Sequence, residues 1–176
     1  SSNDYGYGIS ALADGSSLIT GYFNGSASFG STTLTSAGNE DVFIAKLNAD
    51  GSYAWAKKAG GSIGKSISAL ADGSSFITGA FRGSASFGST TLTSAGNADV
   101  FIAKLKADGS YAWAKKAGGS SDDIGYGISA LADGSSLITG WFRGSASLGS
   151  TTLTSAGGED VFIAKLNADG SYAWAQ

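Results

Sequence analysis

Cysteine, histidine, methionine and proline are all absent from this 176-residue chain. Without cysteine there are no disulfides, no thiolate nucleophile and no Cys-type metal ligands, although the absence does not fix the redox compartment. Without histidine no imidazole can take a proton from a serine, which removes the usual hydrolytic triad. The lack of proline, set beside 28 glycines and abundant Ser and Thr, favours short strands joined by tight turns over helices or proline-rich linkers. No apolar run approaches membrane-spanning length, so no membrane insertion is expected. Charged residues make up only 14% of the chain, and a net charge of −3 with eleven dispersed Lys/Arg leaves no footprint for nucleic acid. There is no signal-like start and no initiator Met, and Ser1-Ser2-Asn3-Asp4 aligns with Ser120-Ser121-Asp122-Asp123. The chain therefore reads as an excised or designed piece.

What is present is one unit written three times. ISALADGSS opens at Ile9, Ile67 and Ile128, and each copy runs through DVFIAKL to SYAWA. The first two openings are 58 residues apart and the next two 61, the difference lying in one linker, GGSIGKS against GGSSDDIGYG. The repeats are bounded as 1–61, 62–119 and 120–176 within a single repeat domain. Up to the closing Gly-Gly, the first two copies differ only at Leu18/Phe76, Tyr22/Ala80, Asn24/Arg82, Glu40/Ala98 and Asn48/Lys106.

The first copy predicts strands over Gly8–Ala13, Leu18–Phe23, Val42–Leu47 and Tyr53–Lys58, rich in β-branched and aromatic residues. Asp14-Gly15 and Asp50-Gly51 fall between them as tight hairpin turns, and recur as Asp72-Gly73, Asp108-Gly109, Asp133-Gly134 and Asp169-Gly170. GSASFGSTTLTSAG, between the second and third strands, is expected to form a small extra hairpin or an elongated strand end. Both faces of the strands are apolar or small: Val42 and Ile44 share one face of DVFIAKL, while Phe43, Ala45 and Leu47 share the other. A sheet apolar on both sides needs a neighbour on each, and radial stacking of blades supplies one. The expected fold is all-β, with three four-stranded antiparallel β-propeller blades per chain. The alternative is a threefold β-trefoil or β-prism monomer.

GISALADGSSLITGYF followed by DVFIAKLNADGSYAWAKKAGG resembles the bacterial SBBP-type β-propeller repeat, in which TG, AKL, DG and closing GG elements recur in this order. The resemblance covers essentially the whole chain, with the GSASFGSTTLTSAG insertion as a departure. It implies no catalytic residue, and an extracellular or cell-surface setting if the source is a natural bacterial protein.

Propellers need about four to eight blades, and an open arc of three exposes an apolar sheet at each end. The chain begins just before a first strand and stops in a fourth, so two copies in phase would give a six-bladed ring as a homodimer. Self-assembly is thus the expected chemistry, with the chain itself as partner, no cofactor, no metal and no enzymatic activity. Gly60-Gly61-Ser62-Ile63-Gly64 matches a nucleophile-elbow string but joins two strands and has no base to serve it. Asn48, Asp50 and Ser52 resemble part of a calcium loop without the closing acid, and Ala98-Asp99 breaks the acidic pair of Glu40-Asp41 and Glu159-Asp160. Asn24-Gly25-Ser26 is a formal glycosylation sequon, meaningful only for a eukaryotic secreted chain.

The positions that vary between copies carry the second functional reading. Tyr22, Ala80 and Trp141 occupy one repeat position, and Asn24, Arg82 and Arg143 the position two later. An aromatic beside a polar or cationic group stacks on a sugar ring while bonding its hydroxyls, so Tyr22, Asn24, Arg82, Trp141 and Arg143 are candidate ligand-binding residues of a lectin-like or adhesive surface with glycans as partners. Ala80 lacks the aromatic platform, which weighs towards neutral variation.

Overall fold

The computed structural model describes residues 3–38 and 40–176; the alignment of Ser1 and Ser2 with the third repeat lies outside them. Every element is a strand. The first blade is β1 (Tyr5–Ala11), β2 (Ser17–Phe23), β5 (Asp41–Leu47) and β6 (Tyr53–Ala59), paired antiparallel in the order β1-β2-β5-β6. Between β2 and β5 a separate ribbon projects, β3 (Ser26–Phe29) with β4 (Thr32–Thr35). The second blade repeats this with β7 (Ser62–Ala69), β8 (Ser75–Phe81), β11 (Asp99–Leu105) and β12 (Tyr111–Gly119), and its ribbon is β9 (Ser84–Phe87) with β10 (Thr90–Thr93). In the third blade β13 (Asp123–Ala130) and β16 (Tyr172–Ala175) flank β14 (Ser136–Leu148) and β15 (Thr151–Leu166), which run unbroken into the ribbon. Both expectations for GSASFGSTTLTSAG are therefore realised, a separate hairpin twice and a strand extension once.

Two details differ from the sequence expectations. The first strand begins at Tyr5 and ends at Ala11, because Leu12 and Ala13 enter the turn. The turn is also not the two-residue form with both central φ angles positive. The Leu12 carbonyl accepts from Gly15 N at 3.0 Å, Leu12 N donates to the Ser16 carbonyl at 2.8 Å, and only Gly15 takes positive φ, at 81°. Asp14 instead accepts from its neighbour two residues on, through Ser16 N at 2.9 Å and the Ser16 hydroxyl at 2.5 Å. These bonds hold the Asp14 carboxyl below its ordinary value. Asp50, Asp72, Asp108, Asp133 and Asp169 repeat the arrangement with Ser52, Ser74, Ser110, Ser135 and Ser171.

The two-faced apolar pattern gives face-to-face blades. Leu18, Val42 and Ile44 of the first blade pack with Ile67, Ile77, Phe81, Phe101 and Leu105 of the second. Phe76, Val100 and Ile102 on the far side of the second blade pack with Ile128, Ile138, Phe142, Phe162 and Leu166 of the third. Full burial of such side chains contributes about 1.5–3 kcal/mol each, so the seams between blades dominate the cohesion. The innermost strands run side by side, where Ser10 accepts from Ala69 N at 3.0 Å and Ser68 from Ala130 N at 2.9 Å. Among the described residues the third blade does not close back on the first, unlike the threefold monomer alternative. Ile9 is 72% exposed where Ile67 and Ile128 are 5% and 9%, and Val161 is 70% exposed where Val42 and Val100 are 0% and 1%.

Each first strand carries a bulge. Pairing slips between Gly6 and Gly8, Gly64 and Ser66, and Gly125 and Gly127, leaving Tyr7, Lys65 and Tyr126 as the extra residues. A bulge turns its side chain away from the regular pleat.

Candidate functional site

Two sets of residues stand out, the open faces at the two ends of the arc and the row of variable positions at the ends of β2 and β8 and within β14.

At the outer part of each seam a tryptophan reaches the next blade. Trp55 Nε1 donates to the Ala107 carbonyl at 3.3 Å, and Trp113 Nε1 to the Ala168 carbonyl at 3.1 Å. Their indoles lie flat against Gly109 and Gly170, where an added Cβ would come within 3.0 and 2.9 Å of the ring. Both glycines also take positive φ, 79° and 83°, so neither site accepts a side chain readily. Tyr111 and Tyr172 complete the seams by donating to the Lys58 and Lys116 carbonyls at 3.4 and 3.2 Å, and burial pushes both phenols above their ordinary value. The same two halves stand apart at the ends: Trp174 is 40% exposed, and a Cβ at Gly51 would meet nothing within 4 Å.

The second seam holds a buried acid pair that the first lacks, because the longer linker brings in Asp123. At the first seam Asp41 accepts from Gly61 N at 2.8 Å and Ala37 N at 2.9 Å, with Lys58 at 3.3 Å. At the second, Asp99 accepts from Ala95 N at 2.9 Å, while its Oδ1 is buried without a hydrogen-bond partner among the described residues. Asp123 accepts from Gly119 N at 2.7 Å and Arg143 N at 3.2 Å. Burial pushes its carboxyl up to about 6, and Asp99 and Asp122 nearby act in the same direction. Burial raises Asp99 likewise. A carboxyl raised on folding stabilises the fold below its unfolded value and loses that contribution as pH rises through the folded one. The chain is thus expected to resist denaturant better at about pH 5 than at about pH 8, with Asp123→Asn gaining on the order of 1 kcal/mol at the higher pH and narrowing the gap. The six turn aspartates have the opposite sign but act only as pH falls below about 4, outside that window. Parallel pH profiles for the two proteins would remove this assignment.

The predicted ligand-binding residues Tyr22, Asn24, Arg82, Trp141 and Arg143 do not converge on one site. Tyr22 stacks within its own blade against Tyr5 and Tyr7, with centroids 5.2 and 5.9 Å away. Trp141 donates weakly to the Tyr126 hydroxyl at 3.4 Å. Asn24 N donates to Asp4 at 3.2 Å on the exposed rim. Arg143 pairs with Glu159 at 2.9 Å, whereas the second blade carries Ala98 at the position of that acid. The bulge residues were missed in the sequence because Lys65 and Tyr126 stand in the Gly-rich segments read as linker, GGSIGKS and GGSSDDIGYG, and Tyr7 just before the expected first strand. Two of the remaining motifs are engaged in local hydrogen bonds. Ser62 is buried at the start of β7 and donates to the Gly60 carbonyl at 3.1 Å. Asn48, Asp50 and Ser52 bond one another across a turn. Among the described residues no group of three or more acids is placed to hold a metal ion.

Four-stranded antiparallel units stacked face to face about their innermost strands define β-propeller blades, the second and third of which are also joined at their edges where Gly118 and Gly119 of β12 pair with Ser147 and Ala146 of β14. In keeping with this, a domain of unknown function of the β-propeller type (DUF5122) matches residues 12–52, the stretch from the turn after β1 to the turn before β6. No curated protein matches the chain.

Proposed function

We propose that this chain is a non-catalytic, self-assembling β-propeller module, of SBBP type and excised or designed as three near-identical blades, that closes its ring with a second copy of itself. One observation carries the reading. The far face of the third blade, with Val161, Ile163 and Trp174, is equivalent to faces that are buried inside the chain against a following blade. The near face of the first blade, with Ile9 and the uncovered Gly51, is equivalent to what those faces pack on. A two-fold pair satisfies both ends at once and makes two identical seams. Light scattering in solution tests it: a mass about twice 17.5 kDa supports the six-bladed ring, and a well-folded monomer overturns it. A second reading, a carbohydrate-binding or adhesive surface, is favoured by the exposed Tyr5–Tyr7–Tyr22 stack; titration with neutral sugars is its test.

A further inference from the structure

Three of the five differences between the first two copies, Ala80, Arg82 and Ala98, line one hollow of about 470 Å³ on the inner rim of the middle blade. Ala80 opens it, because the equivalent positions are filled by Tyr22 and Trp141. The floor is Ala80 with Ile124, and the walls carry Lys65, Arg82, Glu40 and Tyr126, drawn from all three blades. Lys65 and Tyr126 are both bulge residues, so the backbone irregularity is what turns them to this rim.

The charges of the hollow are unusual for this molecule. In the third blade the equivalent arginine, Arg143, is held by Glu159 at 2.9 Å. The second blade keeps the arginine and replaces the acid with Ala98, and the first keeps the acid, Glu40, and replaces the arginine with Asn24. Among the described residues neither Arg82, Lys65 nor Glu40 forms an ion pair. The Lys65 ammonium sits 4.1 Å above the Tyr7 ring, a contact that leaves its N–H donors available. Two cations and one carboxylate leave the hollow net positive in a chain of net charge −3. A planar guanidinium without its carboxylate is a site for one, and an apolar floor beside a phenol face suits a ring.

We infer that this hollow binds a small ligand with a carboxylate carried on a ring, the carboxylate meeting Arg82 and Lys65 and the ring lying against Tyr126 over Ala80. All of its walls belong to one chain, so the site does not depend on ring closure. The ring is either that of a sugar acid or that of an aromatic acid, and the probes separate the two: glucuronate against glucose, and phenylacetate against 2-phenylethanol.

The test is a ¹⁵N NMR titration followed through the backbone signals of 63–65, 80–82 and 124–126. At least one acid is expected to bind about 10-fold or more tightly than its neutral partner, the effect of one charge-assisted contact. Ala80→Tyr fills the hollow, Ala98→Glu supplies Arg82 with the partner that Arg143 has, and Arg82→Asn removes the cation. Each installs the residue that another copy already carries; because Ala98 is buried beside Asp99, unchanged far-UV circular dichroism is required of each variant, and each is expected to weaken the acid about 10-fold or more. The inference is overturned if neither acid shifts these signals up to about 10 mM, if the neutral partners bind equally well, or if binding survives Ala98→Glu and Arg82→Asn.

Discussion

Val161→Asp is expected to convert the assembled protein into folded monomers. Val161 is 70% exposed in the single chain, so an aspartate there meets water and leaves the blade intact. In the closed ring the same position becomes the counterpart of Val42 and Val100, which are 0% and 1% exposed within the seams between blades. Each seam then loses the burial of a valine, about 1.5–3 kcal/mol, and takes on an unpaired charge that costs several kcal/mol more. Two-fold symmetry applies the change at two seams, so dimerisation should weaken by at least about 1,000-fold. Light scattering at ~10 μM should give 17.5 kDa for the variant against twice that for the parent, with unchanged far-UV circular dichroism. A variant that keeps the doubled mass would remove the third blade's far face from the interface. Val100→Asp makes the contrast: the same substitution at a seam inside the chain should prevent folding altogether, because no dissociation can relieve it.

The parts of this architecture that were legible in the sequence are those set by local chemistry. Asp-Gly pairs marked the six turns that join β1 to β2, β5 to β6 and their counterparts in the other blades, since an acid bonding two residues on and a glycine at positive φ are properties of four or five adjacent residues. Strands apolar on both faces foretold blades with a neighbour on each side, because that pattern follows from side-chain direction alone. What escaped reading depends on partners far apart in the chain. Trp55 and Gly109 are unremarkable separately and become a seam only when one blade lies on the next. Ala80 read as a lost aromatic platform, a judgement made on its own blade; beside Glu40 of the first blade and Tyr126 of the third it is the floor of a hollow. Tyr5-Gly6-Tyr7 fell outside the expected first strand, which began at Gly8, because the glycines hide the strand, and the bulge at Tyr7 is visible only in the pairing with β2.

Gly79→Ala is expected to be among the most damaging single changes in the chain, although it adds only a methyl group. Gly79 lies in β8 between β7 and β11, paired with Gly64 on one side and Phe101 on the other. A Cβ there would fall 1.9 Å from the Ile63 carbonyl oxygen and 2.9 Å from the Phe101 ring, and Gly21 and Gly140 meet the same obstacle in their blades. The first obstacle is backbone, so no rotamer change removes it; β7 has to move, and with it the bulge that carries Lys65. Overpacking typically costs 1–3 kcal/mol, and a backbone clash in the middle sheet belongs at or above the top of that range, about 3 kcal/mol. Against a typical domain stability of about 5–15 kcal/mol this is a large fraction. Gly157→Ala is the control, since a Cβ at Gly157 meets nothing within 4 Å and should shift stability by no more than about 0.5 kcal/mol. Denaturant midpoints that match between Gly79→Ala and Gly157→Ala would mean that β7 does not approach β8 as described. A midpoint that falls as expected supports the close approach of the Ile63 carbonyl to Gly79.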